Sequence, residues 1–280
     1  MAIFTNQAML SYTGGSILSN IVTGEIAEAV TVVKTAVSAS YTPGGRAAYA
    51  VSIANDGTQP VTGVTLIDDL GAYEFDGATV FPLAYAAGSL RYFVDGVLQT
   101  APAVTAGPPL SVSGITVPPG SSAMLIYEAQ VTRFAPLGAG AEITNTVPVD
   151  GSCIVAPLTA SASISMEMAP QLSISKSVSP ELITGCTEIR YTFVIQNAGG
   201  EAGGAENVSV ADVFDPVLTG LIVTLNDAPF AAYTYDESTG VFTTAAGAIT
   251  VPGATYSQNS DGSWMTTPGI AVLELSGTLR

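Results

Sequence analysis

The stretch Arg46–Asp56, RAAYAVSIAND, carries the pattern from which the fold class can be inferred. Tyr49, Val51 and Ile53 alternate with smaller or polar residues, and this period of two places all three on one face of a half-buried strand. Similar runs recur along the chain, and turn sequences such as the NDG of residues 55–57 separate them. Convincing helical periodicity is absent. The pattern predicts an all-β fold of the sandwich type.

Two copies of this pattern follow one another along the chain. Residues 32–57 resemble residues 173–200 at an offset of 142, since 176 − 34 = 195 − 53 = 142. The matching pairs are Lys34 and Lys176, Tyr49 and Tyr191, Ile53 and Ile195, and Asn55 and Asn197. A two-residue insertion then shifts the offset, so that Asp68 corresponds to Asp212. A chain of 280 residues has room for about two domains, and we expect tandem domains over residues 30–169 and 170–280.

The repeated motifs resemble a known family. Each copy has a first strand with Lys-Thr or Lys-Ser, then Y-x-x-x-I-x-N-x-G, then a strand that leads to Asp68 or Asp212. This order resembles the conserved repeat domain of unknown function that recurs in bacterial cell-surface proteins. The resemblance implies immunoglobulin-like β-sandwiches in extracellular structural or adhesive proteins. The arrangement also resembles appendage subunits on the spores of Gram-positive bacteria, which need no signal peptide because the mother cell lyses.

Residues 1–29 resemble the last two strands of the first copy. The corresponding pairs are Phe4 and Ile143, Asn6 and Asn145, Ala8 and Val147, and Leu10 and Val149. The second copy reaches Arg280 at the position equivalent to Arg133 and is expected to lack these strands. A sandwich without them has an edge of unpaired N–H and C=O groups and an open core. We therefore expect residues 1–29 to form a donor β-hairpin. Its expected contact residues are Phe4, Asn6, Ala8, Leu10 and Ile21.

Three arrangements would cover the open edge. The hairpin could fold back onto the second copy of its own chain, it could pack on the first copy as an extra edge, or it could enter the second copy of the next molecule. The third is favoured because tandem surface domains usually lie end to end, so that self-closure would require the hairpin to cross a whole domain. Exchange between molecules is a head-to-tail contact, which produces an open polymer unless the rotation closes a ring.

The two lysines of the chain, Lys34 and Lys176, occupy equivalent positions on the first strands of the two copies. Bacterial surface sandwiches of a similar kind can join a first-strand lysine to a last-strand asparagine, with a buried acid that shifts protons. By that resemblance, Lys34, Asn145 and Asp68 are the candidates for an isopeptide bond in the first copy. The chemistry needs a lysine deprotonated by burial, an amide as acyl donor and a neutral carboxylic acid.

In the second copy, the corresponding candidates are Lys176 and Asp212, with Asn6 supplied by another molecule. The alternative for both lysines is a structural one. A lysine at a strand edge keeps its charged end in water, packs its aliphatic stem on the protein and discourages edge-to-edge aggregation. The sequence leaves the two interpretations open.

The two cysteines, Cys153 and Cys186, fit no zinc or redox spacing. Cys153 falls in the last hairpin of the first copy, and Cys186 takes the place of Gly44 in the first turn of the second. They are candidates for one disulfide, within a chain or between chains. The alternative is that both remain buried thiols.

The composition excludes several classes of function. With 23 acidic residues against 7 basic ones, the net charge is −16, and no basic face for nucleic acid can be assembled. The absence of histidine removes the usual base of Ser-His and Cys-His catalysis and the imidazole metal ligand. We therefore expect no enzyme, no cofactor and no metal site. No run of about 18 apolar residues predicts a membrane span, and no signal peptide is visible.

These features predict a structural subunit of an extracellular fibre, pilus or spore appendage. Its partner would be a second copy of the same chain, in a homopolymer located at a cell or spore surface. The alternative is a monomeric cell-surface module that adheres to or binds a ligand through its loops. The sequence does not identify such a ligand.

Overall fold

The computed structural model describes residues 2–26, 29–182, 188–203 and 208–279. The regular structure of these residues is β-strand, which confirms the predicted all-β fold class. Within this part of the chain, no helix has the length and apolar character needed to cross a membrane. The chain forms two compact units. The first contains Met1–Ala39, Gly44–Thr132 and Ile143–Ile164, and the second contains Ser40–Pro43, Arg133–Glu142 and Ser165–Arg280.

The strands fall into three groups along the chain. The N-terminal arm contains β1 (Ala2–Asn6), β2 (Met9–Tyr12), β3 (Gly15–Leu18) and β4 (Val22–Ile26). The first copy contains β5 (Val30–Ala36), β6 (Ser40–Tyr41), β7 (Arg46–Asn55), β8 (Val61–Asp68), β9 (Tyr73–Phe75), β10 (Ala78–Val80), β11 (Leu83–Tyr85), β12 (Arg91–Val94), β13 (Val97–Gln99), β14 (Ala103–Thr105), β15 (Leu110–Val117), β16 (Ser121–Val131), β17 (Glu142–Asp150) and β18 (Leu158–Met166). The second copy contains β19 (Leu172–Ser179), β20 (Glu188–Asn197), β21 (Ala211–Val213), β22 (Leu218–Leu225), β23 (Ala228–Pro229), β24 (Tyr233–Asp236), β25 (Val241–Thr244), β26 (Thr255–Gln258), β27 (Trp264–Thr267) and β28 (Gly269–Leu279).

The arm is one long antiparallel hairpin, as predicted. β1 pairs with β4 and β2 pairs with β3, with Asn6 opposite Val22 and Tyr12 opposite Gly15. Gly14 lies in the turn with a φ of 120°, a conformation that glycine adopts without steric cost. The hairpin therefore closes where the Gly-Gly sequence predicts it.

The first copy is a sandwich of two sheets, whose strands pair antiparallel except for the short parallel pair of β18 and β6. One sheet has the order β13-β12-β16-β7-β5, and the other has the order β14-β15-β8-β17-β18 with β6 at its end. Inward side chains of both sheets line one internal cavity of about 10 Å³, among them Val51 and Leu125 from the first sheet and Leu66 and Val112 from the second. These four side chains are buried, so the core lies between the sheets.

The second copy repeats this plan with fewer strands. Its larger sheet has the order β19-β20-β28-β22-β23, and a three-stranded sheet has the order β21-β25-β24. The β19-β20-β28 register matches β5-β7-β16 of the first copy, because Lys34 lies opposite Val51 and Lys176 lies opposite Phe193. Its core consists of buried apolar residues of both sheets and the loops between them, including Phe193, Phe214 and Phe242.

A buried asparagine closes the same turn in both copies. The amide nitrogen of Asn55 donates to the carbonyls of Gln59 and Val117, and its oxygen accepts from the N–H of Gly57. Asn197 donates to the carbonyl of Glu201 at 2.6 Å and accepts from the following turn in the same way. Each asparagine satisfies backbone groups that a buried turn would otherwise leave unpaired, which explains why this residue recurs in the motif.

The copies differ at one edge. In the first copy, β8 pairs with β15 on one side and with β17 on the other. In the second copy, β21 occupies the position of β8 and pairs with β25, the counterpart of β15. Among the described residues, no strand pairs with the opposite edge of β21. The position that β17 fills in the first copy is therefore open to solvent in the second.

Candidate functional site

The first copy contains a buried ion pair at the predicted position. Lys34 is directed into the sandwich from β5, and its Nζ atom lies 2.6 Å from Oδ2 of Asp68 at the end of β8. Lys34 is 4% exposed and Asp68 is 3% exposed. Burial lowers the pKa of the Lys34 ammonium, and the neighbouring Asp68 carboxylate opposes this effect. Lys34 of the first copy is thus not a solvated lysine at a strand edge.

Tyr127 and Asn145 complete this group. The Tyr127 hydroxyl donates a hydrogen bond to the same Oδ2 atom of Asp68, and it accepts one at 3.2 Å from Nδ2 of Asn145. Asn145 is completely buried, and its Oδ1 atom has no hydrogen-bond partner among the described residues. Burial, followed by the nearby charge of Asp68, raises the pKa of the Tyr127 phenol well above its ordinary value. The structure therefore brings together the three predicted residues and adds a fourth.

Nothing in the sequence motifs singles out Tyr127. Its one signal is position: the alternation of β16 places Leu125, Tyr127 and Ala129 on the buried face. A tyrosine there has the ordinary interpretation of a core aromatic, and its ring does stack on Tyr49 with centroids 5.8 Å apart. Only the packing of the two sheets brings its hydroxyl to Asp68.

This arrangement supplies what an isopeptide bond needs. Isopeptide chemistry needs a neutral amine, and burial favours that form of Lys34 while the hydrogen bond to Asp68 gives the departing proton an acceptor. The neutral amine is a nucleophile, and the Asn145 amide is an acyl donor. Among the described residues, no group of three or more His, Cys, Asp and Glu side chains is placed to hold a metal ion.

The equivalent group of the second copy is more open. Lys176 pairs with Asp212, but the lysine side chain is 39% exposed. Its ammonium lies 4.6 Å from the ring centroid of Tyr191 and 5.1 Å from that of Phe214. The aromatic faces hold the ammonium in place by cation–π attraction. No asparagine of the described residues replaces Asn145 here, so a bond from Lys176 to Asn6 stays a prediction.

Leu275 marks a second difference between the copies. Tyr127 lies opposite Tyr49 on β7, and Leu275 lies opposite Tyr191 on β20. Since Tyr49 and Tyr191 are equivalent, Leu275 occupies the position of Tyr127, and it is fully buried. The second copy therefore has the lysine and the acid of the first, but no hydroxyl at this position.

The predicted contact residues of the arm are all exposed. Phe4 is 51% exposed, Leu10 is 62% exposed and Ile21 is 61% exposed, while Asn6 and Ala8 are also on the surface. Their counterparts on β17 are buried: the inward residues are Ile143, Asn145, Val147 and Val149. The same alternating pattern of side chains is thus buried in β17 and exposed to solvent in the arm.

The second copy has a complementary groove. Leu172, Ile174, Ile195, Val208 and Val210 line a depression of about 290 Å³ between β19 and the segment that leads to β21. Leu172 is 42% exposed, whereas Val30, the equivalent residue of β5, is 2% exposed. The same position is therefore buried in the first copy and open to solvent in the second.

The predicted disulfide stays a prediction. Cys153 carries a free, exposed thiol, so the alternative of a buried thiol is wrong for this residue. Cys186 lies outside the described residues.

No protein-family model and no curated protein matches the chain. Among solved structures, the chain is similar to BcpA, the major pilin subunit of Bacillus cereus, with 11% identity and a TM-score of 0.37 over 95% of this chain and 73% of that one. RrgB, the pilus backbone from Streptococcus pneumoniae, is similar with 11% identity and a TM-score of 0.36 over 90% of this chain and 50% of that one. ACE19, the collagen binding subdomain of the Enterococcus faecalis surface protein ACE, is similar with 9% identity and a TM-score of 0.31 over 50% of this chain and 99% of that one. Identities and TM-scores this low assign no function, and the resemblance to the repeat domain of surface proteins stays a prediction.

Proposed function

We propose that the chain is the structural subunit of an extracellular fibre, of the pilus or spore-appendage type, which polymerises head to tail. In this proposal the arm of one molecule enters the second copy of the next. The observation that carries it is the match between the arm and β17. Phe4, Asn6, Ala8 and Leu10 have the spacing of the four buried residues of β17, yet they are exposed.

The acceptor is the groove of the second copy together with the free edge of β21. The arm would pair with that edge as β17 pairs with β8, with Leu10 of β2 in the place of Val149, so that backbone N–H and C=O groups on both strands become hydrogen bonded. Leu10, which takes the place of Val149, would cover Leu172 and Ile174, which are exposed in the single chain. Burial of a large apolar side chain contributes roughly 1.5–3 kcal/mol, so each such contact would favour association.

The contact is heterologous, because the arm and the groove are different surfaces of the same molecule. Contacts of this kind continue from one subunit to the next and form a filament unless the rotation closes a ring. The net charge of −16 keeps free subunits apart through repulsion, so assembly depends on the specific strand contact.

Within each subunit, we propose that Lys34 and Asn145 form an isopeptide bond. The carrying observation is the buried group of Lys34, Asp68, Tyr127 and Asn145 in one hydrogen-bonded cluster. The bond would join β5, the first strand of the first copy, to β17 in the opposite sheet. It would act as a covalent tie across the sandwich.

The experiment that tests the polymer is deletion of residues 1–29. The full chain should form filaments in negative-stain microscopy and elute as a large, heterogeneous species. The truncated chain should be soluble and monomeric, with the first copy folded and the second destabilised. A synthetic peptide of residues 1–29 should restore the stability of the second copy. Filaments that persist after the deletion would contradict strand donation, and a monodisperse full chain would favour the monomeric binding module.

A further inference from the structure

The hydrogen bonds around Asp68 form a continuous path between the two atoms that an isopeptide bond involves. Oδ2 of Asp68 accepts from Nζ of Lys34 at 2.6 Å and from the hydroxyl of Tyr127. The same hydroxyl accepts from Nδ2 of Asn145 at 3.2 Å. The path therefore runs from the nucleophilic nitrogen, through a carboxylate and a phenol, to the nitrogen that must leave.

We propose that Tyr127 is a catalytic residue of the cross-linking reaction, whose hydroxyl passes a proton from Asp68 to the departing nitrogen of Asn145. The proposal rests on the proposed Lys34–Asn145 bond and goes beyond it, since it assigns the general acid that releases ammonia. Tyr127 touches a reacting atom directly, and the hydrogen bond donated by Nδ2 goes to its hydroxyl.

The reaction balances without any further reactant. Neutral Nζ of Lys34 attacks Cγ of Asn145, and the Nζ–Cγ bond forms. Nζ loses a proton to Oδ2 of Asp68, Asp68 passes a proton to the Tyr127 oxygen, and Tyr127 passes its own proton to Nδ2. The Cγ–Nδ2 bond then breaks and ammonia leaves. The products are one amide and one ammonia molecule; Tyr127 returns to its starting form, and Asp68 ends as the neutral acid because it keeps the proton that made Lys34 neutral.

The phenol suits this task because the amide nitrogen changes character during the reaction. In the planar amide, Nδ2 is a donor, and the hydroxyl accepts from it. Once Cγ becomes tetrahedral, Nδ2 gains a lone pair, and the hydroxyl hydrogen can turn toward it while the acid proton of Asp68 takes its place. The raised pKa of Tyr127 keeps the phenol protonated, so that it is able to donate.

Direct transfer from Asp68 is disfavoured by the contacts of its two oxygens. Oδ1 accepts from the backbone N–H of Leu70 at 3.0 Å, and Oδ2 is shared between Lys34 and Tyr127. Leu275 at the equivalent position of the second copy has no proton to give. The inference therefore also predicts that a Lys176–Asn6 bond forms far more slowly than the Lys34–Asn145 bond.

The test measures how fast the full chain loses ammonia after synthesis. The chain is made in a cell-free translation reaction, and its intact mass is followed by mass spectrometry, because the bond lowers the mass by about 17 Da. Tyr127→Phe removes the hydroxyl and keeps the ring that stacks on Tyr49. Tyr127→Leu introduces the side chain that the second copy carries at this position. Both variants should lose ammonia on the order of 100-fold more slowly than the unaltered chain, the usual size of a general-acid contribution.

Tyr92→Phe is the matched control. It removes another largely buried hydroxyl of the first copy, which donates to the carbonyl of Thr116 at 2.9 Å, and it should leave the rate unchanged. An unaltered chain that never loses ammonia would overturn the cross-link itself. An unaltered chain and a Tyr127→Phe chain that lose ammonia at the same rate would keep the cross-link and overturn the role of Tyr127.

Discussion

A buried ammonium, carboxylate, phenol and amide meet inside the first copy. Lys34 and Asp68 gain from their attraction, but desolvation offsets much of that gain, and the orphaned Oδ1 of Asn145 adds a further cost. Such a group is a weak way to hold a sandwich together without a covalent bond. Conversion of the ammonium and the amide into one neutral amide removes the charge and joins the strands. The chemistry at this scale therefore favours the cross-linked form.

Asn145→Val tests the contribution of the bond to stability. Valine removes the acyl donor and fits the apolar face that β17 shares with Val147, so that non-covalent packing changes little. The variant should show its full mass, without the deficit of about 17 Da. Closure of a loop of about 110 residues contributes about 4–5 kcal/mol in the chain-entropy description of cross-links, so the free energy of unfolding should fall by that order.

The matched control for this variant is Asn6→Val, the equivalent change on the arm. It should leave the mass deficit and the unfolding free energy of the first copy unaltered. Denaturant titration of both variants provides the comparison. Equal unfolding free energies for Asn145→Val and the unaltered chain would show that no bond ties β5 to β17.

Among the strands, β17 and the first half of the arm, β1 with β2, have the same pattern of apolar residues in different surroundings. β17 alternates buried and exposed side chains because one of its faces is directed into the core of the first copy. The arm has no such contrast, since both of its faces are exposed. Neither face of the arm is therefore buried in the single chain. In the proposed strand donation, the face that corresponds to the buried side of β17 would become buried.

The two faces of the arm can be told apart by matched double variants. Phe4→Ser with Leu10→Ser removes apolar groups from the face that corresponds to the buried side of β17. Ile3→Ser with Met9→Ser removes comparable groups, which are 68% and 65% exposed, from the other face. The first pair should weaken assembly by more than 100-fold, since about 3 kcal/mol or more of burial is lost, and the second pair should not.

Sedimentation of filaments as a function of subunit concentration measures both effects. Similar losses of assembly for the two pairs of variants would mean that the arm associates through non-specific hydrophobic contacts and does not adopt the register of β17. That outcome would contradict the proposed docking while leaving polymerisation itself intact.

For the whole molecule, the proposed head-to-tail contact would repeat every surface feature along the polymer. Cys153 is exposed, and an exposed thiol in an oxidising extracellular setting readily forms a disulfide. In a head-to-tail polymer, a bond between Cys153 of one molecule and Cys186 of the next would recur at each junction. A bond between two Cys153 residues would instead join molecules only into dimers.

We expect filaments grown without reductant to give a ladder of multimers in non-reducing denaturing electrophoresis. Cys153→Ser and Cys186→Ser should each abolish the ladder while filaments still form, because the strand contact does not depend on the disulfide. Dimers alone would indicate pairing between two Cys153 residues, and monomers alone would contradict a disulfide between chains. A ladder that survives boiling with reductant would reveal a Lys176–Asn6 bond and would contradict the need for a hydroxyl at position 275.

Much of the architecture follows from the sequence by itself. The period of two determined that the chain is all-β, and the two copies of the Lys, Tyr, Ile and Asn motif determined that it contains two similar sandwiches. These features are local, since each depends on residues within one strand or one turn, and the structure confirms them. The similarity of residues 1–29 to β17 and β18 is also visible in the sequence, and the arm does form a hairpin.

Only the tertiary structure decided the chemistry and the difference between the copies. Lys34, Asp68, Tyr127 and Asn145 come from four strands in two sheets, and their hydrogen bonds depend on how those sheets pack. The same lysine motif is buried in the first copy, in one group with Asn145 of β17, and partly exposed in the second, where no described asparagine takes that place. Whether a residue is buried depends on which parts of the chain pack around it. Asn145, which completes the buried group, is more than 100 residues away from Lys34 in the chain. No local pattern at Lys34 or Lys176 contains that information.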